Sequence, residues 1–290
     1  MTTAILSRRT KAPSAQRSGV VDSSVRRVET HKSPTPEVSK WLLNLFSWYS
    51  RRYLQRHFHS FRVSKTVQSP ANLHVPLVVY SNHASWWDPL VGLLLARECF
   101  PGKSVFAPMD AAALERYGFF KRLGAFGVEQ GTRRGAAQFL LAARSILQQA
   151  ENILWLTPQS RFADARERPV GFKPGIGHLP NRLPHLQFLP VGIEYVFWEE
   201  RLPEILIRFG ELYETRADEM QLAPQVWTEF FAGKLEETQD ALATEARQRN
   251  PDTFCCLLRG KSGVNVIYDR WRALKSRWRG QTFQPEHGRL

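Results

Sequence analysis

Beyond residue 37, the hydrophobic positions divide the chain into short strands and longer helices. Runs of apolar and β-branched residues that fit a strand occur at 75–80, 104–107, 125–128, 153–157, 187–195 and 205–209. Apolar residues spaced three or four positions apart, as on one face of a helix, occur at 89–99, 109–122, 134–150 and 225–248. Short strands that alternate with helices are typical of βαβ units. The pattern therefore predicts an α/β fold, with a mixed, largely parallel sheet flanked by helices.

An amphipathic N-terminal helix is predicted to precede this sheet. Between Pro36 and about residue 60, apolar and aromatic residues recur at helical spacing, and Lys40, Arg51 and Arg52 lie among them. Such a helix can lie in a membrane interface, with its rings at the acyl boundary and its cations on lipid phosphates, or it can pack on its own domain. Both interpretations stay open, and they are compatible.

The two ends of the chain differ in composition from its middle. Residues 1–35 have no hydrophobic period, are rich in Arg and Ser, and end in a Ser-Pro-Thr-Pro linker. We expect a disordered basic tail there, with an organellar transit peptide as the alternative. Residues 264–279 are predicted to form a basic aromatic helix like the first. The predicted division is a tail at 1–35, a membrane-surface helical segment at 36–66, an α/β domain at 67–256, and a basic aromatic helix and tail at 257–290.

The charge of the chain is concentrated at its ends. The net charge is +13 over 290 residues, of which residues 1–66 carry +10, residues 257–290 carry +6 and the middle carries −3. This distribution favours an anionic partner surface, either a membrane or nucleic acid. No stretch is long and apolar enough to be predicted as a membrane-spanning helix. Because no nucleic-acid recognition motif occurs and the middle lacks a basic stripe, we expect a peripheral protein on an anionic membrane surface and no nucleic-acid partner.

One segment combines polar chemistry with a strand–loop–helix context. Residues 80–89, Tyr-Ser-Asn-His-Ala-Ser-Trp-Trp-Asp-Pro, directly follow the first strand of the predicted α/β domain and directly precede a helix. Open α/β sheets place ligands beyond the carboxyl ends of their strands. There, an imidazole such as His83 can accept a proton near pH 7, and a carboxylate such as Asp88 can orient it. The alternative is a structural role, in which Asp88 caps the helix and His83 is an ordinary loop residue.

The spacing Asn-His-x4-Asp after a strand resembles the first motif of the phospholipid/glycerol acyltransferase family, which includes the 1-acylglycerol-3-phosphate acyltransferases. Three further blocks follow in the family's order. Gly-Ala-Phe-Gly-Val-Glu-Gln at 124–130 is similar to the second motif, Thr-Pro-Gln-Ser-Arg at 157–161 to Phe-Pro-Glu-Gly-Thr-Arg, and Leu-Pro-Val-Gly at 189–192 to the fourth motif. Phe-Lys-Pro-Gly at 172–175 is similar to a basic-Gly stretch of the family. The resemblance covers roughly residues 37–210.

This resemblance implies that residues 67–256 form an acyltransferase domain, with His83 as general base and Asp88 as its partner. The implied reaction moves a fatty acyl group from acyl-CoA or acyl-carrier protein to a (lyso)glycerophospholipid hydroxyl, without a metal or other cofactor, on the cytoplasmic side of a membrane. The chain's three cysteines, two of them adjacent, also favour a reducing compartment. Trp86 and Trp87 are candidates for an acyl pocket. The candidate acceptor-binding residues are Gly124, Glu129, Gln130, Arg133, Arg134, Gln159 and Arg161.

Two residues depart from the family's pattern where it is associated with the acceptor phosphate. Gln130 stands where the family usually has Arg, and Gln159 where it has Glu. Glutamine can donate hydrogen bonds to a phosphate, but it lacks the charge and the forked geometry of arginine. Arg133, Arg134 and Arg161 lie nearby in sequence and could supply that charge. The alternatives are an uncharged lipid or glycolipid alcohol as acceptor, a catalytically inactive lipid-binding protein, or a basic nucleic-acid-binding protein.

Overall fold

The sheet at the centre of the fold is mixed, and helices cover both of its faces. In a computed structural model, the structure describes residues 35–66 and 75–261. Its strands are β1 (Ser60–Ser64), β2 (Leu77–Ser81), β3 (Ser104–Asp110), β4 (Ala125–Val128), β5 (Asn152–Leu156), β6 (Gln187–Val196), β7 (Glu204–Phe209), β8 (Tyr213–Glu214) and β9 (Phe254–Arg259). Its α-helices are α1 (Lys40–His57), α2 (Asp88–Cys99), α3 (Ala111–Arg116), α4 (Arg133–Ile146) and α5 (Pro224–Gln248).

The strand order is β4-β3-β5-β2-β6-β7-β1-β9, with β8 paired to β6. The first five strands in this order are parallel to one another. Strand β7 is antiparallel to β6, β1 is parallel to β7, and β9 is antiparallel to β1. The predicted α/β class with a largely parallel sheet is therefore confirmed.

Strand β2 is apolar at nearly every position because both of its faces are buried. Leu77 and Val79 face one core with α2, while Val78 and Tyr80 face a second core with α4 and α5. Successive residues of a strand point to opposite faces, so a strand covered on both faces needs apolar residues at every position. The two cores place α2 on one side of the sheet and α4 and α5 on the other.

The six predicted strands correspond to β2 through β7, and three of the four predicted helices to α2, α4 and α5. The predicted helix at 109–122 is wrong as a single element. Strand β3 pairs with β4 as far as Asp110, whose carboxylate then caps α3 by accepting a hydrogen bond from the Ala113 amide (3.0 Å). After α3, a 3-10 helix spans Gly118–Leu123 and ends at Gly124, whose φ of 104° is in the region that favours glycine.

Strands β1, β8 and β9 have no counterpart in the sequence-based prediction. The N-terminal helix ends at His57, earlier than predicted, because β1 begins three residues later and pairs with both β7 and β9. Strand β1 carries Ser60, Arg62 and Ser64, which are polar but buried, so its composition does not indicate an inner strand. The predicted division into segments stays a prediction. Its tail at 1–35 and its helix at 264–279 fall, apart from residue 35, outside the described residues.

Candidate active site at the carboxyl edge of the sheet

The loops that follow β2, β5 and β6 meet at one edge of the sheet. Strand β2 lies between β5 and β6, and all three run in the same direction. Strand β6 continues beyond the end of β2, from Val191, which pairs with Ser81, to Val196. Its last residues therefore stand beside the loop that carries His83. This is the position at which open α/β sheets bind their ligands.

His83 and Asp88 form the centre of this site. The Nδ1 atom of His83 lies 2.8 Å from Oδ2 of Asp88, and the backbone amide of Ser85 donates to the same oxygen (3.0 Å). The other oxygen, Oδ1, accepts a hydrogen bond of 2.6 Å from the hydroxyl of Tyr195 at the end of β6. Both oxygens of this buried carboxylate are thus held. Asp88 is the first residue of α2, where the helix dipole also favours a negative charge.

The backbone of His83 is held by the loop after β5. Its amide donates to Oε1 of Gln159 (2.9 Å), and its carbonyl accepts from the amide of Ala163 (2.9 Å). The preceding residue, Asn82, is buried and exchanges two hydrogen bonds with the backbone of Ile193, of 2.9 and 2.8 Å. The loop after β5 and the β6 backbone at Ile193 therefore hold this turn where strand pairing has ended.

The imidazole of His83 is partly open to solvent. Its side chain is 21% exposed, and its ring lies 4.4 Å from the exposed ring of Phe162. Because Asp88 holds Nδ1, Nε2 is the ring nitrogen left to take a proton from a bound hydroxyl. A histidine with a carboxylate on one nitrogen and an accessible second nitrogen is suited to general-base catalysis.

Tyr195 acts on this pair as a hydrogen-bond donor. Burial raises the pKa of its hydroxyl, and the adjacent Asp88 carboxylate raises that pKa further. The phenol is therefore neutral over the whole working pH range, and it donates its proton to Asp88. The sequence analysis did not find Tyr195. The available signal was its place at the end of a predicted strand that was expected to be parallel to β2.

Two of the predicted acceptor-binding residues lie on the loop that holds His83. Gln159 is buried, and its Oε1 is occupied by the His83 amide, so it supports the loop. Arg161 is exposed, and its guanidinium pairs with Glu167, whose hydrogen bond and charge raise the pKa of Arg161. Phe162, which the sequence analysis did not find, directly follows this arginine, and its ring contacts the ring of His83.

The other predicted acceptor-binding residues lie around β4. Gly124 ends the 3-10 helix, and a side chain there would come within 2.3 Å of the Val105 carbonyl, which gives this glycine a structural reason. The remaining four residues follow β4, which β3 and β5 separate from β2. With neighbouring strands about 4.8 Å apart, β4 lies roughly 14 Å from β2 along the sheet. These four residues are Glu129, which is half-buried, and Gln130, Arg133 and Arg134, which are exposed.

The two predicted acyl-pocket residues take different positions in the loop between His83 and Asp88. Trp86 is 55% exposed, with its ring 4.4 Å from that of Trp87. Trp87 packs against Phe58 and Tyr53 at the edge of the core that contains α2. His59 is buried beyond the end of α1 against Glu204.

Neither a metal-binding cluster nor a membrane-spanning helix occurs in the described part of the chain. Residues 35–66 and 75–261 contain no group of three or more His, Cys, Asp and Glu side chains placed to hold a metal ion. None of the helices within these ranges is both long enough and apolar enough to cross a bilayer.

Comparisons with known proteins give only distant similarity, and it is to solved structures. No protein-family model matches the chain, and no curated protein matches it. Among solved structures, the chain is similar to the 1-acyl-sn-glycerophosphate (LPA) acyltransferase PlsC from Thermotoga maritima, at 12% sequence identity and a TM-score of 0.47. The similarity covers 70% of this chain and 80% of that chain. At this level, the function has to be inferred from the residues of the site.

Proposed function

We propose that the protein is an O-acyltransferase that moves a fatty acyl group from an acyl thioester to the hydroxyl of a lysoglycerophospholipid at a membrane surface. The observation that carries this proposal is the 2.8 Å contact between His83 Nδ1 and Asp88 Oδ2, at the carboxyl edge of the sheet, with the imidazole open to solvent. The sequence motif and the contact between His83 and Asp88 both support this proposal.

The reaction uses one proton transfer in each direction. Nε2 of His83 takes the proton of the acceptor hydroxyl, whose oxygen attacks the thioester carbonyl carbon and forms a C–O bond. Asp88 stabilises the resulting imidazolium through Nδ1. The tetrahedral intermediate collapses with cleavage of the C–S bond, and the imidazolium returns its proton to the leaving thiolate. The products are an ester and the free thiol of coenzyme A or of acyl-carrier protein.

The test is transfer from labelled acyl-CoA to lysophosphatidic acid in lipid vesicles, followed by identification of the labelled product. Replacing a general base typically lowers the rate by about 10²–10⁴-fold, and we expect a loss of this size for His83→Asn, with an unchanged free energy of unfolding. His185→Asn is the matched control, because His185 is exposed at the amino end of β6, the opposite edge of the sheet. Near-normal transfer by His83→Asn would contradict the mechanism. A wild-type protein that binds lipid but transfers no acyl group would indicate an inactive lipid-binding protein.

A second acceptor class is an uncharged lipid or glycolipid alcohol. This class is favoured because the two candidate phosphate-binding residues nearest His83 already have partners within the protein. Gln159 is uncharged and already bonded to the His83 amide, and Arg161 is paired with Glu167. Measuring the rate of acyl transfer to both acceptor classes at matched concentration distinguishes them. An enzyme whose site makes no contact with a phosphate should not prefer the phosphorylated acceptor.

A further inference from the structure

Helix α1 buries Leu54 together with two serines, and it exposes several large apolar side chains on its outer face. Its buried face includes Ser47 (6% exposed) and Ser50 (0% exposed), whose hydroxyls donate back to carbonyls four residues earlier. Its exposed face carries Trp41 (72% exposed), Trp48 (58% exposed) and further apolar side chains at positions 45 and 49. A helix of a water-soluble fold normally places its large apolar residues inward. The outer face of α1 is therefore built to contact something other than water.

A second element extends this apolar face. The 3-10 helix Gly118–Leu123 is tied to the start of α1 by a backbone hydrogen bond of 2.9 Å from the Ser39 amide to the Arg122 carbonyl. It presents Phe119 (42% exposed), and Tyr117 directly before it is 44% exposed. The ring of Phe119 lies 5.8 Å from that of Phe46 on α1. Two elements far apart in sequence thus form one aromatic surface, here called the aromatic face. Its exposed apolar members are Trp41, Leu45, Trp48, Tyr49, Tyr117 and Phe119.

Rings connect the aromatic face with the loop of the candidate site. Tyr49 stacks on Tyr53 at 5.5 Å, and Tyr53 lies 6.3 Å from Trp86. Trp86 is exposed and stands between His83 and Asp88 in the sequence. These ring contacts form a continuous series from the aromatic face to Trp86, in the loop that carries His83 and Asp88.

Cations surround the aromatic face. The sequences of α1 and of the 3-10 helix contain no Asp or Glu. Arg52 lies over the Trp48 ring, 5.7 Å from its centroid, and Arg116 lies over the Tyr117 ring at 5.4 Å. A groove of about 290 Å³ on α1 is lined by aromatic side chains together with Arg52 and Arg56. The other exposed cations of the two elements are Lys40, Lys121, Arg122 and Arg51, of which Arg51 pairs with Glu98 of α2 (2.9 Å).

We infer that the aromatic face is a two-part membrane-contacting surface, in which α1 and the 3-10 helix together insert rings into an anionic lipid bilayer. Rings at the acyl boundary with cations on lipid phosphates match this composition. A second copy of the chain would bring two cationic faces together. The terminal segments 1–34 and 262–290 are themselves net basic, so they would also be repelled. Since the bilayer would hold the lipid acceptor, this surface rests on the proposed function and names the partner from which the site receives its substrate.

The test is flotation of the full chain with vesicles of phosphatidylcholine alone and vesicles containing about a third phosphatidylglycerol, at low and high salt. We expect binding to the anionic vesicles that weakens with salt. The double variants Trp41→Ser/Trp48→Ser and Tyr117→Ser/Phe119→Ser should each lower the partition coefficient about tenfold. The matched control is Leu141→Ser/Val226→Ser, because these exposed apolar residues lie on α4 and α5, across the sheet from α2. It should stay within about twofold of the wild type.

A variant that removes two cations tests the same surface without changing any aromatic side chain. Lys121→Gln/Arg122→Gln changes only exposed side chains, and each lost cation should weaken binding to anionic vesicles about fivefold. All variants are also compared by their free energy of unfolding, so that a folding defect is recognised.

Three results would overturn the inference. The first is wild-type binding by both 3-10 helix variants together with a loss in the α1 variant, which would confine the contact to α1. The second is equal, salt-insensitive binding to neutral vesicles. The third is a failure to float together with a dimer that the α1 variant dissociates, which would assign the face to a second copy of the chain. Flotation requires no turnover. A chain that floats but transfers no acyl group would therefore contradict the proposed function and leave the membrane surface supported.

Discussion

Among single residues, Tyr195 contacts the His83–Asp88 pair through the carboxylate of Asp88. Its hydroxyl donates to Asp88 Oδ1 at 2.6 Å, so it spreads and stabilises the carboxylate charge and holds the carboxylate in one orientation. Tyr195 is therefore a positioning residue in the proposed reaction. Its effect should be visible in the pH dependence of the rate.

Tyr195→Phe removes one oxygen and leaves the packing of the ring in place. Without this donor the Asp88 charge is concentrated on the His83 side, which favours the imidazolium. The acidic limb of the kcat/KM profile should therefore move to higher pH, and kcat at neutral pH should fall about tenfold with an unchanged acceptor KM. Tyr213→Phe is the matched control, because Tyr213, on β8, donates a similar hydrogen bond to the Glu219 carboxylate (2.8 Å). An unshifted profile with normal kcat would contradict the positioning role.

Gln159 separates loop support from acceptor binding. Gln159→Leu leaves the partly buried His83 amide without its acceptor, which should cost about 1 kcal/mol in the free energy of unfolding and lower kcat about tenfold or more. Gln159→Glu keeps an acceptor oxygen and should stay within a few-fold of the wild-type kcat. If Gln159 instead contacted an acceptor phosphate, the new charge of Gln159→Glu would repel it. A strongly raised KM in that variant would therefore contradict the loop role. Kinetics and denaturation on both variants check this.

Among the elements, β1 pairs with β7 along its backbone, and one buried carboxylate of β7 also binds side chains at the start of β1. Glu204 begins β7 and receives hydrogen bonds from His59 (2.6 Å), Ser60 and Arg62 (3.2 Å), all at or beside the start of β1. Burial alone would raise the pKa of Glu204, but the hydrogen bonds from His59 and Ser60 and the charges of His59 and Arg62 together hold the pKa below its ordinary value of 4.5. This cluster explains how a strand with alternating polar residues can be an inner strand.

Glu204→Gln should lower the free energy of unfolding by about 3 kcal/mol near neutral pH, since it leaves buried partners uncompensated. Because the folded pKa lies below 4.5, this stabilisation is fully present above that pH and is lost as the pH falls through the folded pKa. The difference between the variant and the wild type should thus shrink in acid. Denaturation across pH 3–7 measures it. Glu199→Gln is the control, because Glu199 forms an exposed pair with Arg249 (3.1 Å) worth about 0–1 kcal/mol. A pH-independent difference would contradict the role of the charge.

For the whole molecule, the strand order decides which arginine can serve the acceptor. Strand β5 adjoins β2, so Arg161 lies on a loop bonded to His83, while Arg133 and Arg134 follow β4 roughly 14 Å away along the sheet. The phosphate of a lysophosphatidic acid lies within a few ångströms of the hydroxyl that would be acylated. Arg161 is therefore the better candidate for a phosphate contact.

Arg161→Gln should raise the KM for lysophosphatidic acid about tenfold, as expected for the loss of a charge-assisted contact. Arg133→Gln/Arg134→Gln should change it by less than about threefold. Arg166→Gln is the control on the same loop, since Arg166 pairs with Asp164 and is exposed. Steady-state kinetics with both acceptor classes check these values. A silent Arg161→Gln with a clear preference for an uncharged alcohol would reject the phosphorylated acceptor.

The sequence by itself determined the α/β class, the strands β2 to β7 and the helices α2, α4 and α5. A strand buried on both faces is a short continuous apolar run, and a helix buried on one face shows an apolar period of about 3.6. The sequence also identified His83 and Asp88, because the pair is local. Five positions of chain bring the imidazole and the carboxylate together across one turn, before any long-range contact is needed.

Only the tertiary structure decided the remainder, because it depends on pairing between distant residues. Tyr195 reaches Asp88 because β6 lies beside β2, and Gln159 reaches the His83 amide because β5 lies on the other side. The polar strand β1 is stable inside the sheet because residues of β7, more than a hundred positions later, satisfy its side chains: Glu204 accepts from Ser60 and Arg62, and Arg208 donates to Ser64. Sequence periodicity records which side of an element is buried. It does not record which strand becomes its neighbour, and that neighbour sets both the hydrogen-bond partners of the site and the distance from His83 to each arginine.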